Sequence, residues 1–250
     1  MTISVINQTD GKISNEEIQT VIRAVNRQIK EDFKPYWSID ATLRLEGKST
    51  AKKLTQTPAD LRGDAIIYIE DKVRKDGIQG YHELNEKGIP FGYVYLDIAK
   101  KLKEPWSVTF SHEVLELIGD SETNLLAAGP HPNPKNKYQV FHWHEMCDAV
   151  QTEIYEIDGV KVSNFVLPLY FTSGDELKGR NDFLGTINPD GTTLKSFGVN
   201  PGGYIGFFDP VLQKHDSFFS DQNAQKRSEQ KGSNTKTRRA IRYQKSSTKK

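Results

Sequence analysis

The sequence predicts an α+β fold, a mixed sheet with a buried helix over residues 1–220, followed by a basic, disordered tail over 221–250. Three observations predict it. Short apolar or alternating runs recur through the first half of the chain. Two segments with helical spacing lie among them. Apolar content collapses after about residue 220, where 226–250 hold only Ala240, Ile241 and Tyr243 as hydrophobic residues.

Each element has its own signal. Ile3 and Val5 open a strand. Ser14 stands three residues before Glu17, a capping-box spacing, and Ile18, Val21, Ile22, Val25 and Ile29 follow at helical intervals. A helix over about 15–32 is expected, stopped by Pro35. Ser38–Glu46 alternates as a strand with one buried face. Ala65–Ile69 is a short apolar run of the kind found in central strands. Gly92–Leu96 reads as another strand, at an edge where an extended substrate could pair. Trp106–Ile118 is a buried helix ending at Gly119. Gly129–Pro134 is a proline-rich loop, and Val140–Ile157 is extended and aromatic. Asp158-Gly159 marks a hairpin, and Pro201-Gly202-Gly203 a turn.

The formal charge of +1 conceals an asymmetry. Of 34 Lys and Arg and 33 acids, ten bases and one acid lie in 226–250, which leaves 24 bases and 32 acids in the first 225 residues. An acidic body of −8 thus carries a tail of +9. No apolar run reaches the length of a membrane span, and the first residues lack the features of a secretory signal. The single cysteine, Cys147, excludes an internal disulfide framework and a CxxC zinc module. A cytoplasmic, soluble protein is expected. There is no internal repeat, no GxGxxG and no GxxxxGK[ST].

The chemistry is concentrated in Ser111-His112-Glu113-Val114-Leu115-Glu116. His112 and Glu116 are four apart, so they leave one helix face about a turn apart and can meet one metal ion. Glu113 stands next to His112, where a base reaches a metal-bound water. This is the logic of HExxH, with glutamate in place of the second histidine. Carboxylates bind zinc as imidazoles do, and oxygen-rich sites also admit manganese, magnesium or calcium. The bland alternative is a solvated His–Glu pair worth about 0.2–0.5 kcal/mol. The apolar flanks, Val108, Phe110, Val114, Leu115, Leu117 and Ile118, argue against it, because a buried charge needs a partner.

A third ligand must come from elsewhere. Asp120 could join only after a turn at Gly119, and Glu122 stands ten residues after His112. Glu145 and Asp148 lie in the later extended segment. His142 and His144 form an HxH pair that is either metal-like or packed among aromatics beside Trp143. Cys147 reads as a small packing residue.

Several words in order carry a resemblance. Trp106–Phe110 leads into SHEVLE; Glu145-Met146-Cys147-Asp148, Gly159–Pro168 and Pro201–Tyr204 follow, and the Gly80–His82 and Pro90–Val94 segments fit the same pattern. Together they resemble a poorly characterised group of bacterial proteins with a zincin-like HExxE helix, over roughly residues 20–205. The resemblance implies a zincin-like single domain and a metallopeptidase. It implies His112 and Glu116 as ligands and Glu113 as base, and it matches Glu145 and Asp148 to the group's E-x-C-D word. Ala149 and Gln151 stand where the group has proline and glutamate. His142, His144 and the basic tail lie outside the resemblance.

The leading expectation is a metal-dependent hydrolase acting on peptide bonds, with ligands His112, Glu116 and Glu145, base Glu113, and one divalent ion, zinc first and manganese or calcium next. Tyr204 is an oxyanion donor or, more simply, a packing residue. The other expectation is a non-catalytic, metal-stabilised binding protein. The expected partners are a peptide or protein substrate and, through Lys226–Lys250, a nucleic acid or other polyanion bound without base reading.

Overall fold

In the computed structural model of the chain, residues 1–46, 63–72, 82–85, 88–172 and 179–230 are described. The architecture is α+β, with helices beside a five-stranded and a four-stranded sheet. The chain divides into two compact units, Met1–Ser121 with Glu156–Val162, and Glu122–Tyr155 with Ser163–Lys250. The sequence suggested one domain over 1–220. Patterns of local period do not report that the two large sheets share no strand.

In the first unit, strand β1 (Thr2–Gln8) leads into helix α1 (Asn15–Arg27). The Ser14 hydroxyl caps α1, accepting from Glu17 N at 3.1 Å, and Ile18, Val21, Ile22, Ala24 and Val25 are its buried face. The helix does not stop at Pro35. A wide π-helical turn over Gln28–Phe33 passes into the short helix α2 (Lys34–Trp37). Pro35 falls in the first turn of α2, where its missing N–H removes no helical hydrogen bond. Ser38, in the left-handed region at φ 55°, ends it. Strand β2 (Thr42–Leu45) follows, shorter than the alternation from Ser38 to Glu46 suggested. Asn26 grips it from α1, donating to Leu43 O at 3.0 Å and accepting from Leu43 N at 2.8 Å. That occupies edge groups which would otherwise invite another strand.

Strands β3 (Ala65–Glu70), β4 (His82–Leu84) and β5 (Pro90–Tyr95) complete the sheet, in the order β2-β1-β3-β5-β4. β1 pairs in parallel with β2 and β3, and β3 with β5; only β4 is antiparallel. Ile3, Val5, Ile66, Ile67 and Ile69 are buried on both sides of the pleat, as the parallel core of such a sheet requires. The apolar run over Ala65–Ile69 is thus the central strand it promised to be. The strand over Gly92–Leu96 is not at an edge, because β5 lies between β3 and β4. The edge beside it is β4, a three-residue strand with little periodic signal.

Helices α3 (Leu96–Leu102) and α4 (Trp106–Gly119) follow. The α4 indole at Trp106 donates to Glu17 Oε1 at 2.9 Å, tying the start of α4 to α1.

In the second unit, β6 (Leu126–Pro130) and β7 (Gln139–Trp143) are antiparallel neighbours. The segment after β7 is not extended as expected. It turns into a short 3₁₀ helix over Asp148–Val150. Strands β8 (Ile154–Ile157) and β9 (Val160–Ser163) form the foreseen hairpin, with Asp158 and Gly159 at φ 50° and 80° in its turn. Its tip counts with the first unit, where Asp158 pairs with Arg27 at 2.7 Å and Lys161 O accepts from the Ser107 hydroxyl at 2.7 Å. Strands β10 (Tyr204–Asp209) and β11 (Lys214–Phe219) finish a sheet of order β11-β10-β7-β6. Helix α5 (Gln222–Gln230) follows. It occupies the first part of the tail expected to be disordered, capped by Asp221, whose Oδ1 accepts from Ala224 N at 2.8 Å. The remainder, 231–250, lies outside the described residues. No helix among the described residues is long and apolar enough to cross a membrane.

Candidate metal centre

Helix α4 is apolar all round and therefore buried all round. Val108, Phe110, Val114, Leu115, Leu117 and Ile118 are buried. Its polar side chains are carried in with them: His112 is 5% exposed, Glu113 3% and Glu116 1%. The spacing read from the sequence is realised in space. His112 Nε2 lies 3.2 Å from Glu116 Oε1, one helical turn on. Two donors about 2.1 Å from one tetrahedral zinc stand roughly 3.4 Å apart, so the pair fits a shared divalent cation. A solvated surface pair is excluded by the burial. Asp120 is also buried, at 4% exposure, and its N–H bonds Glu116 O at 2.9 Å as the helix ends.

The other sequence candidates belong to the second unit. Glu122 is exposed and its Oε2 accepts from Asn124 Nδ2 at 3.0 Å. Glu145 is half-buried, Cys147 fully buried and Asp148 5% exposed, all within one turn of chain. The sequence reading took Cys147 as a packing residue. A buried thiol beside two carboxylates is also a donor of the zinc type; the signal was the E-x-C-D word itself.

The HxH pair resolves as packed rings. His142 Nε2 donates to Pro130 O at 2.8 Å, and its ring lies 4.6 Å from that of Phe197. Burial lowers its pKa to about 4, the Pro130 carbonyl acting against that shift and His131 with it. His142 is therefore a neutral core histidine at pH 7 whose Nδ1 has no hydrogen-bond partner among the described residues. His144 stacks on Phe171 with centroids 4.2 Å apart.

Two words of the resemblance are fasteners of the second unit. Asn164 Nδ2 donates to Glu153 Oε2 at 2.7 Å and to Asp182 Oδ2 at 2.8 Å, while its Oδ1 accepts from Phe165 N and Leu184 N at 2.9 and 3.2 Å. Asn200 and Thr186 add bonds to Glu153. The Pro-Gly-Gly turn is held by Ser220 and Asp221, both accepting from Gly202 N at 2.9 Å. Tyr204 packs on Phe219 at 5.7 Å, the simpler of its two expected roles.

No family model, no curated protein and no solved structure matches the chain.

Proposed function

We propose that this chain is a metal-dependent hydrolase of the zincin type, acting on peptide bonds. The observation that carries the reading is the buried His112–Glu116 pair on α4, 3.2 Å apart, with Glu113 between them in sequence and equally buried. An imidazole and a carboxylate at that spacing, sealed from water, call for a cation. A divalent ion held there supplies Lewis-acid polarisation and a more acidic water. His112 and Glu116 hold the ion from one helix face, and the resemblance in sequence implies those two as ligands and Glu113 as base. Glu113 accepts the proton of the attacking water and returns it to the leaving amine. Because β5 is internal, an extended peptide would pair along β4 instead.

The near-complete burial of His112, Glu113 and Glu116 also favours a second reading, in which the ion is structural and the protein does not catalyse. One experiment separates them. Metal content is measured for wild type and Glu113→Gln, and both are assayed on a peptide library. Hydrolysis by wild type, with metal retained and activity lost in Glu113→Gln, supports the hydrolase. Bound metal without hydrolysis, with melting lowered by chelator, supports the structural reading. Absence of stoichiometric metal from both proteins overturns the two together. Glu145→Gln, Asp148→Asn and Cys147→Ser, scored for metal content, identify the third donor.

A further inference from the structure

At one end of the second unit's four-stranded sheet two loops stand side by side. The β6–β7 loop spans 131–138 and the β10–β11 loop 210–213. The register brings them together, since Phe208 faces Phe141 across β10 and β7, and the Tyr138 hydroxyl donates to Asp209 Oδ2 at 2.9 Å. The β10–β11 loop carries Val211, 62% exposed, and Leu212, 57% exposed. The tip is not slack. Asp209 Oδ1 accepts from Val211 N and Leu212 N, both at 2.9 Å, and Gln213 closes the turn in the left-handed region at φ 52°. A fixed turn therefore keeps two adjacent aliphatic side chains in water, at a cost that contact with an apolar medium would remove.

The surroundings of the tip are cationic. Exposed Lys135 and Lys137 lie on the neighbouring loop, and exposed Lys214 opens β11. Residues 133–139 and 210–214 include three lysines and no acid, whereas the first 225 residues hold 32 acids against 24 bases. The carboxylate at the base of the tip, Asp209, is 1% exposed and already holds Tyr138 and two backbone amides. Lys214 pairs with Asp216 at 2.9 Å, which leaves Lys135 and Lys137 without an ion pair among the described residues. The loop that bears them is fastened too. His131 Nδ1 accepts from Asn133 N at 2.9 Å, and Asn133 Oδ1 from Lys135 N at 3.0 Å. An open cavity in this loop is lined by Pro134, Asn136, Lys137 and Tyr138, space for a headgroup phosphate against Lys137.

We propose that this end of the second unit docks on an anionic lipid bilayer, with Val211 and Leu212 entering the headgroup region and Lys135 and Lys137 meeting lipid phosphates. Peripheral contact of this kind needs no spanning helix. A small apolar insertion and a few cations are each weak alone and hold together, as two-signal anchoring does. The tip projects, so it suits a soft surface that yields around it better than a folded partner that must supply a matching pocket. The inference is independent of the metal reading.

The test is co-flotation of the full-length protein with vesicles of phosphatidylcholine, alone or with about 30% phosphatidylserine. The protein binds the anionic vesicles at least about tenfold more tightly than the neutral ones. Val211→Ser combined with Leu212→Ser lowers that binding by about tenfold or more. Lys135→Gln combined with Lys137→Gln lowers it by a similar factor of about ten, and added salt weakens wild type in the same direction. Both double variants melt as wild type does, since the altered side chains are exposed. Cys147 is fully buried, so Leu212→Cys takes an environment-sensitive dye at the tip alone, and its emission shifts to the blue on anionic vesicles. Absence of wild-type flotation overturns the proposal. Flotation that the serine variant retains also overturns it and assigns the binding to basic residues elsewhere in the chain. Equal binding to neutral vesicles overturns it as well. A wild-type dimer that the serine variant dissociates, with no vesicle bound, overturns it in favour of self-association.

Discussion

His142 makes folding of the second unit pH-dependent in a defined window. Its ring is buried, donates to Pro130 O at 2.8 Å and packs on Phe197, and its pKa is lowered from 6.5 to about 4. The folded state thus resists a proton that the unfolded chain accepts. Below pH 6.5 the unfolded state binds more protons than the native state, so stability falls as pH falls. The loss continues until the native histidine itself titrates near pH 4. A depression of this size corresponds to about 3 kcal/mol, most of it developed by pH 4.5. Replacing His142 with glutamine keeps an amide donor for Pro130 O and removes the titration. The variant loses ring packing, so it is the less stable protein at pH 7.5. Between pH 7.5 and 4.5 the difference should shrink and approach zero or reverse. Urea denaturation of both proteins at half-unit pH intervals measures it. Carboxylates contribute chiefly below this window and cancel between the two proteins. If the two stability curves run parallel from pH 7.5 to 4.5, the burial argument for His142 is wrong.

Other consequences follow from single contacts. Removing the Ser14 cap by Ser14→Ala should cost about 1 kcal/mol, read as a lower melting temperature with helix content otherwise retained. Asn164→Ala removes one donor from each of Glu153 and Asp182 and the side-chain acceptor of two backbone amides of the second unit, and should be destabilising by about 3 kcal/mol; a loss below about 1 kcal/mol would show that water replaces the amide freely. Glu116→Gln should reduce bound zinc and abolish the effect of chelator on melting, whereas an unchanged metal content would remove Glu116 from the ligand set. Cys147 is fully buried, so a thiol reagent should label the chelator-free native protein only at the rate of its opening, and labelling as fast as free cysteine would contradict that placement.

Much of the first unit was written in local period. Ser14 with Glu17, and the apolar residues behind them, dictate α1, because a capped amphipathic stripe has few alternatives. The unbroken apolar run at Ala65–Ile69 dictates a central strand. Trp106–Gly119, apolar on every side, dictates a buried helix, and with it the burial of His112, Glu113 and Glu116. The i, i+4 spacing then fixes their separation without reference to the rest of the chain. Asp158-Gly159 dictates its hairpin for the same reason: a two-residue turn of that kind admits few residue types.

Pairings made at long range were decided elsewhere. That β5 lies inside its sheet and β4 at the edge follows from which strands hydrogen-bond, and a three-residue strand carries no period to betray it. The π-helical turn that carries the chain past Pro35 depends on burial of Ile29 and Phe33, both wholly buried. The pair His142 and His144 looks like a ligand motif in one dimension. Only the pairing of β7 between β6 and β10 turns His142 toward Phe197 and Phe207. The same register aligns Phe141 with Phe208 and His215 on the opposite face, although β7 lies far from the β10–β11 hairpin in sequence. Sequence alone fixed the helix that bears the candidate metal ligands, since its determinants lie within four residues of one another. Tertiary structure alone decided which rings the core takes, because a strand's alternation says that its two sides differ but not which side the core will take.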